Sequence, residues 1–144
     1  MRVVDGGVWQ NGALYVGDQA SGNSLVVAGG SVFATALTVG FESATCDNLV
    51  QLDSGSVVVT NATANAVLEV RNGQLILNGG VLQADRLVMT NACGLFVRNG
   101  GTLIFRSVLL ATDLDADGDG MANGLEQRHG LDPLNADDAN SDSD

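Results

Sequence analysis

Apolar residues in the first 112 positions alternate with small or polar ones, in short runs separated by glycine-containing turns. Leu14 and Val16 form one such pair, and Leu68 and Val70 form another. An alternation of period two predicts β-strands with one buried face. The residues between the runs are mostly Asn, Asp, Gly, Ser and Thr, which favour turns. We therefore expect short strands and no amphipathic helix in this region.

The glycine turns recur at a nearly constant interval. They are centred on Gly7, Gly30, Gly55, Gly80 and Gly101, at spacings of 23, 25, 25 and 21 residues. A repeat of about 24 residues with two or three strands predicts one coil of a solenoid, whose strands stack on the coil below at about 4.8 Å. The chain is therefore predicted to be all-β, a β-solenoid (β-helix) of about 4–5 coils. The alternative is a meandering β-sandwich or barrel.

Two cysteines, Cys46 and Cys93, stand before similar strands and are 47 residues apart. In coils of about 24 residues they would lie two coils apart, about 10 Å along the stack. A disulfide needs Cα atoms within about 7 Å of each other. We therefore expect two separate thiols rather than a bridge, and two cysteines alone indicate neither a metal site nor a redox compartment.

Acidic residues are concentrated near the end of the chain. Residues 1–112 hold seven acidic and five basic side chains, whereas residues 113–144 hold ten acidic and one basic. This shift divides the chain into a solenoid region, 1–112, and an acidic tail, 113–144. The chain has no lysine and no basic stripe, so a nucleic-acid partner is not expected. No apolar run reaches the roughly 20 residues of a membrane helix, so no membrane insertion is expected.

Charged residues of the solenoid region do not suggest a catalytic set. The acidic residues are scattered singly, and the one histidine, His129, lies in the tail. No Ser/His/Asp or Cys/His arrangement is therefore available within the solenoid region. Arg71 and Arg98 occupy similar RNG turns, which suits solvated turn residues better than a groove for an acidic sugar. We expect no enzymatic activity.

The tail contains the spacing of a twelve-residue calcium loop, DADGDGMANGLE, at residues 115–126. Such a loop provides oxygens from positions 1, 3, 5, 7, 9 and 12, and a glycine at position 6 allows its sharp turn. The predicted ligands of this calcium cofactor are Asp115, Asp117, Asp119, the backbone carbonyl of Met121, Asn123 and Glu126. A loop that started at Asp113 would place Gly124 at position 12, which has no side chain to bind the ion.

Residues on either side of the loop predict its surroundings. A short helix from about Ala122 to His129 would end at Gly130, with Pro133 shortly beyond. The preceding run LIFRSVLLAT is typical of a strand. No helix therefore enters the loop, and a complete EF-hand is not expected.

Two segments resemble known families. The run TNATANAVLEVRNGQLILNGGVLQADRLVMTNACGLFVRNGGTL resembles autotransporter-associated β-strand repeats of bacterial surface proteins, over roughly residues 5 to 105. That resemblance implies an exported structural or adhesive region and brings no catalytic residues. The tail, DADGDGMANGLEQRHGLDPLNADDANSDSD, resembles the thrombospondin type 3-like calcium repeats of bacterial exported proteins. It implies that Asp142 and Asp144 begin a second calcium loop that is truncated.

These features predict a non-catalytic structural or adhesive fragment of an exported bacterial surface protein, secreted or at the cell surface, with a calcium-rigidified C-terminal linker. One alternative is a truncated polysaccharide-degrading β-helix enzyme, and another is a module that binds a glycan or a protein. Open strands at the ends of a solenoid also favour self-association between copies of the chain.

Overall fold

The computed structural model describes residues 1–42 and 46–141. It is nearly all-β and has a parallel sheet arranged as a β-solenoid of about four turns, which confirms the predicted fold class. Because the strands of successive coils pair in parallel, the meandering β-sandwich alternative is wrong. In the described part of the chain the strands are β1 (Arg2–Val4), β2 (Val8–Gln10), β3 (Ala13–Val16), β4 (Ser24–Ala34), β5 (Ala36–Val39), β6 (Asn48–Val59), β7 (Val67–Val70), β8 (Gly73–Leu77), β9 (Val81–Met89), β10 (Gly94–Arg98) and β11 (Thr102–Leu110).

Inward-facing positions of successive coils stack into apolar columns. One column runs in register from Trp9 through Val32, Val57 and Leu82 to Leu103. Its three central residues are completely buried. Burial of each such side chain contributes about 1.5–3 kcal/mol to folding, so the columns hold neighbouring coils together.

Glycine turns allow the coils to approach one another closely. Gly55 and Gly80 have φ angles of 88° and 79°, in the left-handed region that favours glycine. A Cβ at Gly80 would also overlap the backbone carbonyl oxygen of Gly55 in the coil below. The recurring glycines of the sequence therefore mark corners where both backbone conformation and space exclude a side chain.

The cysteines form a disulfide, so the prediction of two separate thiols is wrong. The Cα atoms of Cys46 and Cys93 lie 5.3 Å apart. The prediction assumed coils of equal length, but the corners differ: eight residues join β5 to β6 and four join β9 to β10. In the coil between them, Arg71 and Asn72 alone join β7 to β8. Both corners next to the cysteines are therefore longer than the corner between them.

Strands at each end of the solenoid pair on one side only. In the described part of the chain, β1 and β2 pair with β4 alone and β3 pairs with β5 alone. At the other end β10 pairs with β8 and β11 with β9. Self-association through these edges remains a prediction.

The acidic tail folds against the C-terminal end of the solenoid. The predicted short helix is confirmed as α1 (Asn123–His129), which ends at Gly130 with a φ of 73°. A 3₁₀ helix, Ala136–Ser141, follows it. Ala116 and Leu134 are buried in the same apolar cluster as the solenoid core. Among the described residues, no helix is both long enough and apolar enough to span a membrane.

Candidate metal centre

The calcium-loop sequence folds around the carboxylate of its first residue. One oxygen of Asp115 accepts the N–H of Gly118 at 2.7 Å, and the other accepts the N–H of Gly120 at 2.9 Å. The two glycines have φ angles of 78° and 95°. These are conformations that L-residues rarely adopt, so the glycines let the chain turn back on Asp115. The local sequence therefore shapes the loop through its own hydrogen bonds.

Asp117 and Asp119 each use one carboxylate oxygen to hold the loop. Oδ1 of Asp117 accepts the N–H of Asp119 at 3.3 Å, and Oδ1 of Asp119 accepts the N–H of Met121 at 2.7 Å. The Oδ2 atoms of both aspartates are buried and have no hydrogen-bond partner. Buried polar atoms are nearly always hydrogen-bonded in folded proteins. These two oxygens are therefore available to a cation.

Glu126 is the most unusual residue of the site. It lies on α1, its side chain is 0% exposed, and neither of its carboxylate oxygens has a hydrogen-bond partner. Burial, with the charges of Asp117, Asp119, Asp138 and Asp115, raises the pKa of Glu126 to about 7. Removing a carboxylate from water without a partner is costly. A cation would relieve this cost directly.

Asp117 shares this environment. Its side chain is 6% exposed, and burial raises its pKa to about 7 despite the hydrogen bond from the N–H of Asp119. The charges of Asp119 and Asp115 add to the increase. Both carboxylates thus lie where an isolated negative charge is unfavourable and a nearby positive charge is favourable.

Five carboxylates form one continuous cluster, which we call the acidic cluster. Ligand oxygens of Asp115, Asp117 and Asp119 lie within 4.8 Å of one another, and so do those of Asp119, Glu126 and Asp138. Oxygens on opposite sides of one calcium ion are at most about 5 Å apart, since each lies 2.3–2.6 Å from it. The spread of each group therefore fits a single ion.

Asn123, predicted as the ligand at position 9, makes two hydrogen bonds that hold the loop. It is completely buried, its Oδ1 accepts the N–H of Ala116 at 3.0 Å, and its Nδ2 donates to the carbonyl of Ala111 at 2.7 Å. The side chain therefore fastens the loop to the residues that follow β11. Asn123 thus positions the loop, and its role as a ligand remains a prediction.

The other predicted positions are placed as follows. Met121 lies at position 7, and its carbonyl remains a predicted ligand. Asp113 is exposed and belongs to neither carboxylate group. The predicted second loop at Asp142 and Asp144 lies outside the described residues.

Sequence reasoning missed Asp138, which lies on the 3₁₀ helix. Its Oδ2 accepts the N–H of Asp132 at 2.8 Å, and its Oδ1 is buried without a hydrogen-bond partner. Asp137 and Asp138 are adjacent acids outside the loop, so no spacing rule distinguished them. Only the return of the chain after α1 brings Asp138 to the cluster.

Charged residues of the solenoid make structural contacts. Asp85 is buried and accepts the N–H groups of Asn61 and Ala66, at 3.0 and 3.1 Å, which closes the turn before β7. Arg71 pairs with Glu69 at 2.7 Å. In the described part of the chain, every group of three or more carboxylates close enough to share an ion lies between residues 115 and 138.

Comparison of the chain with protein-family models, curated proteins and solved structures gave no match. The structure itself therefore defines the class of protein. It is a parallel β-solenoid that carries, at its C-terminal end, an acidic cluster able to hold a metal ion.

Proposed function

We propose that the chain is a non-catalytic structural module of an exported bacterial surface protein, in which a bound calcium ion orders the acidic tail. The observation that carries the calcium proposal is Glu126. It is a fully buried carboxylate with two unpartnered oxygens, and it lies beside aspartates that also have unpartnered oxygens. An uncompensated buried charge destabilises a fold, and a cation supplies the compensation.

Calcium fits the donor set better than other common ions. The acidic cluster offers carboxylate oxygens without sulfur or imidazole, and hard cations prefer such ligands. Magnesium usually keeps several waters and binds through one or two carboxylates, whereas calcium takes six to eight oxygens. The proposed ligands are the side chains of Asp115, Asp117, Asp119 and Glu126, with the carbonyl of Met121.

The disulfide supports export. Disulfides persist in oxidising compartments and are rare in the cytosol, and Cys46 and Cys93 are bonded. Extracellular calcium modules work with dissociation constants of about 10⁻⁴–10⁻³ M. A secreted or surface-exposed location would therefore supply both the oxidising conditions and the ion.

A structural role agrees with the contacts that charged side chains of the solenoid make. Asp85, Arg71 and Glu69 are engaged in turns and ion pairs. The alternatives make different predictions: a polysaccharide-degrading enzyme would cleave uronate polymers, and a glycan- or protein-binding module would show an affinity that EDTA abolishes. Both are tested on the same purified protein.

Isothermal titration calorimetry on the metal-free full chain tests the calcium proposal. We expect saturable calcium binding at submillimolar to millimolar concentration and much weaker magnesium binding. The Glu126→Gln variant keeps the shape of the side chain and removes its charge, so it should lose most of the calcium affinity. Absence of saturable calcium binding to the wild-type chain would refute the proposal.

A further inference from the structure

We propose that Asp138 is an additional calcium ligand, so that two separate segments of the tail build the cation site. This inference rests on the proposed calcium binding and extends it. The twelve-residue loop ends at Glu126, whereas Asp138 lies on the 3₁₀ helix Ala136–Ser141. The ion would then connect the loop to a segment that the loop sequence does not include.

The position of the Asp138 carboxylate supports this role. Ligand oxygens of Asp119, Glu126 and Asp138 lie within 4.8 Å of one another. Oδ1 of Asp138 is buried without a hydrogen-bond partner, whereas Oδ2 accepts the N–H of Asp132 at 2.8 Å. One oxygen therefore fixes the orientation of the carboxylate, and the other is left for the ion.

Glu126 gives an independent reason to place a cation between these groups. Its side chain is completely buried and unpartnered on both oxygens, and Asp138 is among the charges that oppose its ionisation. Bringing a further carboxylate to such a residue makes the repulsion worse in the absence of an ion. With a divalent ion between them, the same proximity becomes favourable.

The chain after α1 is built to return to the cluster. Gly130 ends the helix, and the N–H of Leu131 donates to the carbonyl of Glu126 at 2.9 Å. Leu134 then packs into the apolar cluster of the solenoid core, and the N–H of Asp138 donates to the carbonyl of Asn135 at 3.1 Å. Apolar packing and backbone hydrogen bonds thus hold Asp138 in place. Such preorganisation favours ligand binding.

A matched pair of variants tests Asp138. Asp138→Asn and Asp137→Asn each remove one negative charge from adjacent positions, but Asp137 is exposed and belongs to neither carboxylate group. Calcium affinity depends on the number of charged ligands. In calorimetry on the full chain we expect Asp138→Asn to weaken calcium binding about tenfold or more and Asp137→Asn to change it little.

The outcomes separate this inference from the proposed function. If the wild-type chain binds calcium and the two variants weaken binding equally, Asp138 is not a ligand, but the calcium proposal stands. If the wild-type chain does not bind calcium, the proposed function itself fails.

Hydrogen exchange on the wild-type chain gives a second test that needs no variant. Calcium should slow the exchange of the Asp132 and Asp138 amides together with those of the loop. Protection that is confined to residues 115–126 would overturn the role of Asp138.

Discussion

The backbone N–H of Phe96 donates to the carbonyl of Ala116 at 2.7 Å. Phe96 belongs to β10, in the last part of the solenoid, and Ala116 is the second residue of the predicted calcium loop. Both side chains are buried in the solenoid core. The loop therefore continues the hydrogen bonding of the solenoid at β10, rather than hanging from it as a free linker.

Calcium should consequently stabilise the end of the solenoid as well as the tail. A ligand that binds only the folded state adds about 2.7 kcal/mol to the free energy of unfolding at 100 times its dissociation constant. For a chain of this size that corresponds to a rise of about 5–10 °C in melting temperature. Scanning calorimetry checks the rise, and hydrogen exchange should show slower exchange of the Phe96 amide. An unchanged Phe96 amide would contradict the coupling, and Glu126→Gln is the control.

The metal-free protein should become less stable as the pH rises from weakly acidic to neutral. The pKa of Glu126 is raised from 4.5 to about 7 by burial and neighbouring charges, so the folded state binds this proton more tightly than the unfolded state. The stabilisation is fully present below about pH 4.5 and is lost as the pH approaches 7. Asp117, with a pKa raised to about 7, acts in the same direction.

Melting temperatures of metal-free wild type and Glu126→Gln over this pH range check the effect. The difference between the two proteins should change with pH, because the glutamine cannot titrate. With calcium bound the trend should reverse, since the ion competes with protons for the carboxylates. A metal-free difference that is constant with pH would contradict the prediction.

Reduction of the disulfide should destabilise the solenoid. Cys46 and Cys93 are 47 residues apart in the sequence. A disulfide that closes a loop of this size contributes about 2–4 kcal/mol to the free energy of unfolding. Guanidinium unfolding of the Cys46→Ser/Cys93→Ser double variant measures this loss. Dithiothreitol should lower wild-type stability by a similar amount and leave the double variant unchanged, because the chain has no other cysteine. Equal stability of the oxidised and reduced proteins would contradict the prediction.

Replacing Asn123 by Asp distinguishes a positioning role from a ligand role. The Nδ2 of Asn123 donates to the carbonyl of Ala111, and an ionised carboxylate cannot donate that hydrogen bond. We expect Asn123→Asp to destabilise the loop and weaken calcium binding, although it adds a negative charge. Tighter calcium binding by this variant would show instead that position 9 faces the ion. Calorimetry on the variant, with wild type beside it, gives the comparison.

The sequence predicted features that repeat or that depend on local spacing. The glycine interval predicted the coils, and Val32, Val57 and Leu82 stack as that interval requires. The local sequence also predicted α1 and its end at Gly130. These features depend on neighbouring residues and on side-chain alternation, and both can be read from a single sequence.

Features that depend on unequal corners or on distant segments were not predicted. The pairing of Cys46 with Cys93 depends on a corner of only two residues in the coil between them, and an average repeat length conceals this. Asp138 reaches the cluster only because Leu134 anchors the return of the chain. The spacing of the loop predicted Asn123 as a ligand, but it did not predict the hydrogen bonds of Asn123 to Ala116 and Ala111.

The disulfide also determines how the chain would respond to a pulling force. Tension applied between its two ends would pass through the bond that joins Cys46 to Cys93. The residues between the two cysteines could not be drawn out while that bond is intact. β6, β7, β8 and β9 all lie within this interval. Extension would therefore be restricted to the segments outside the two cysteines.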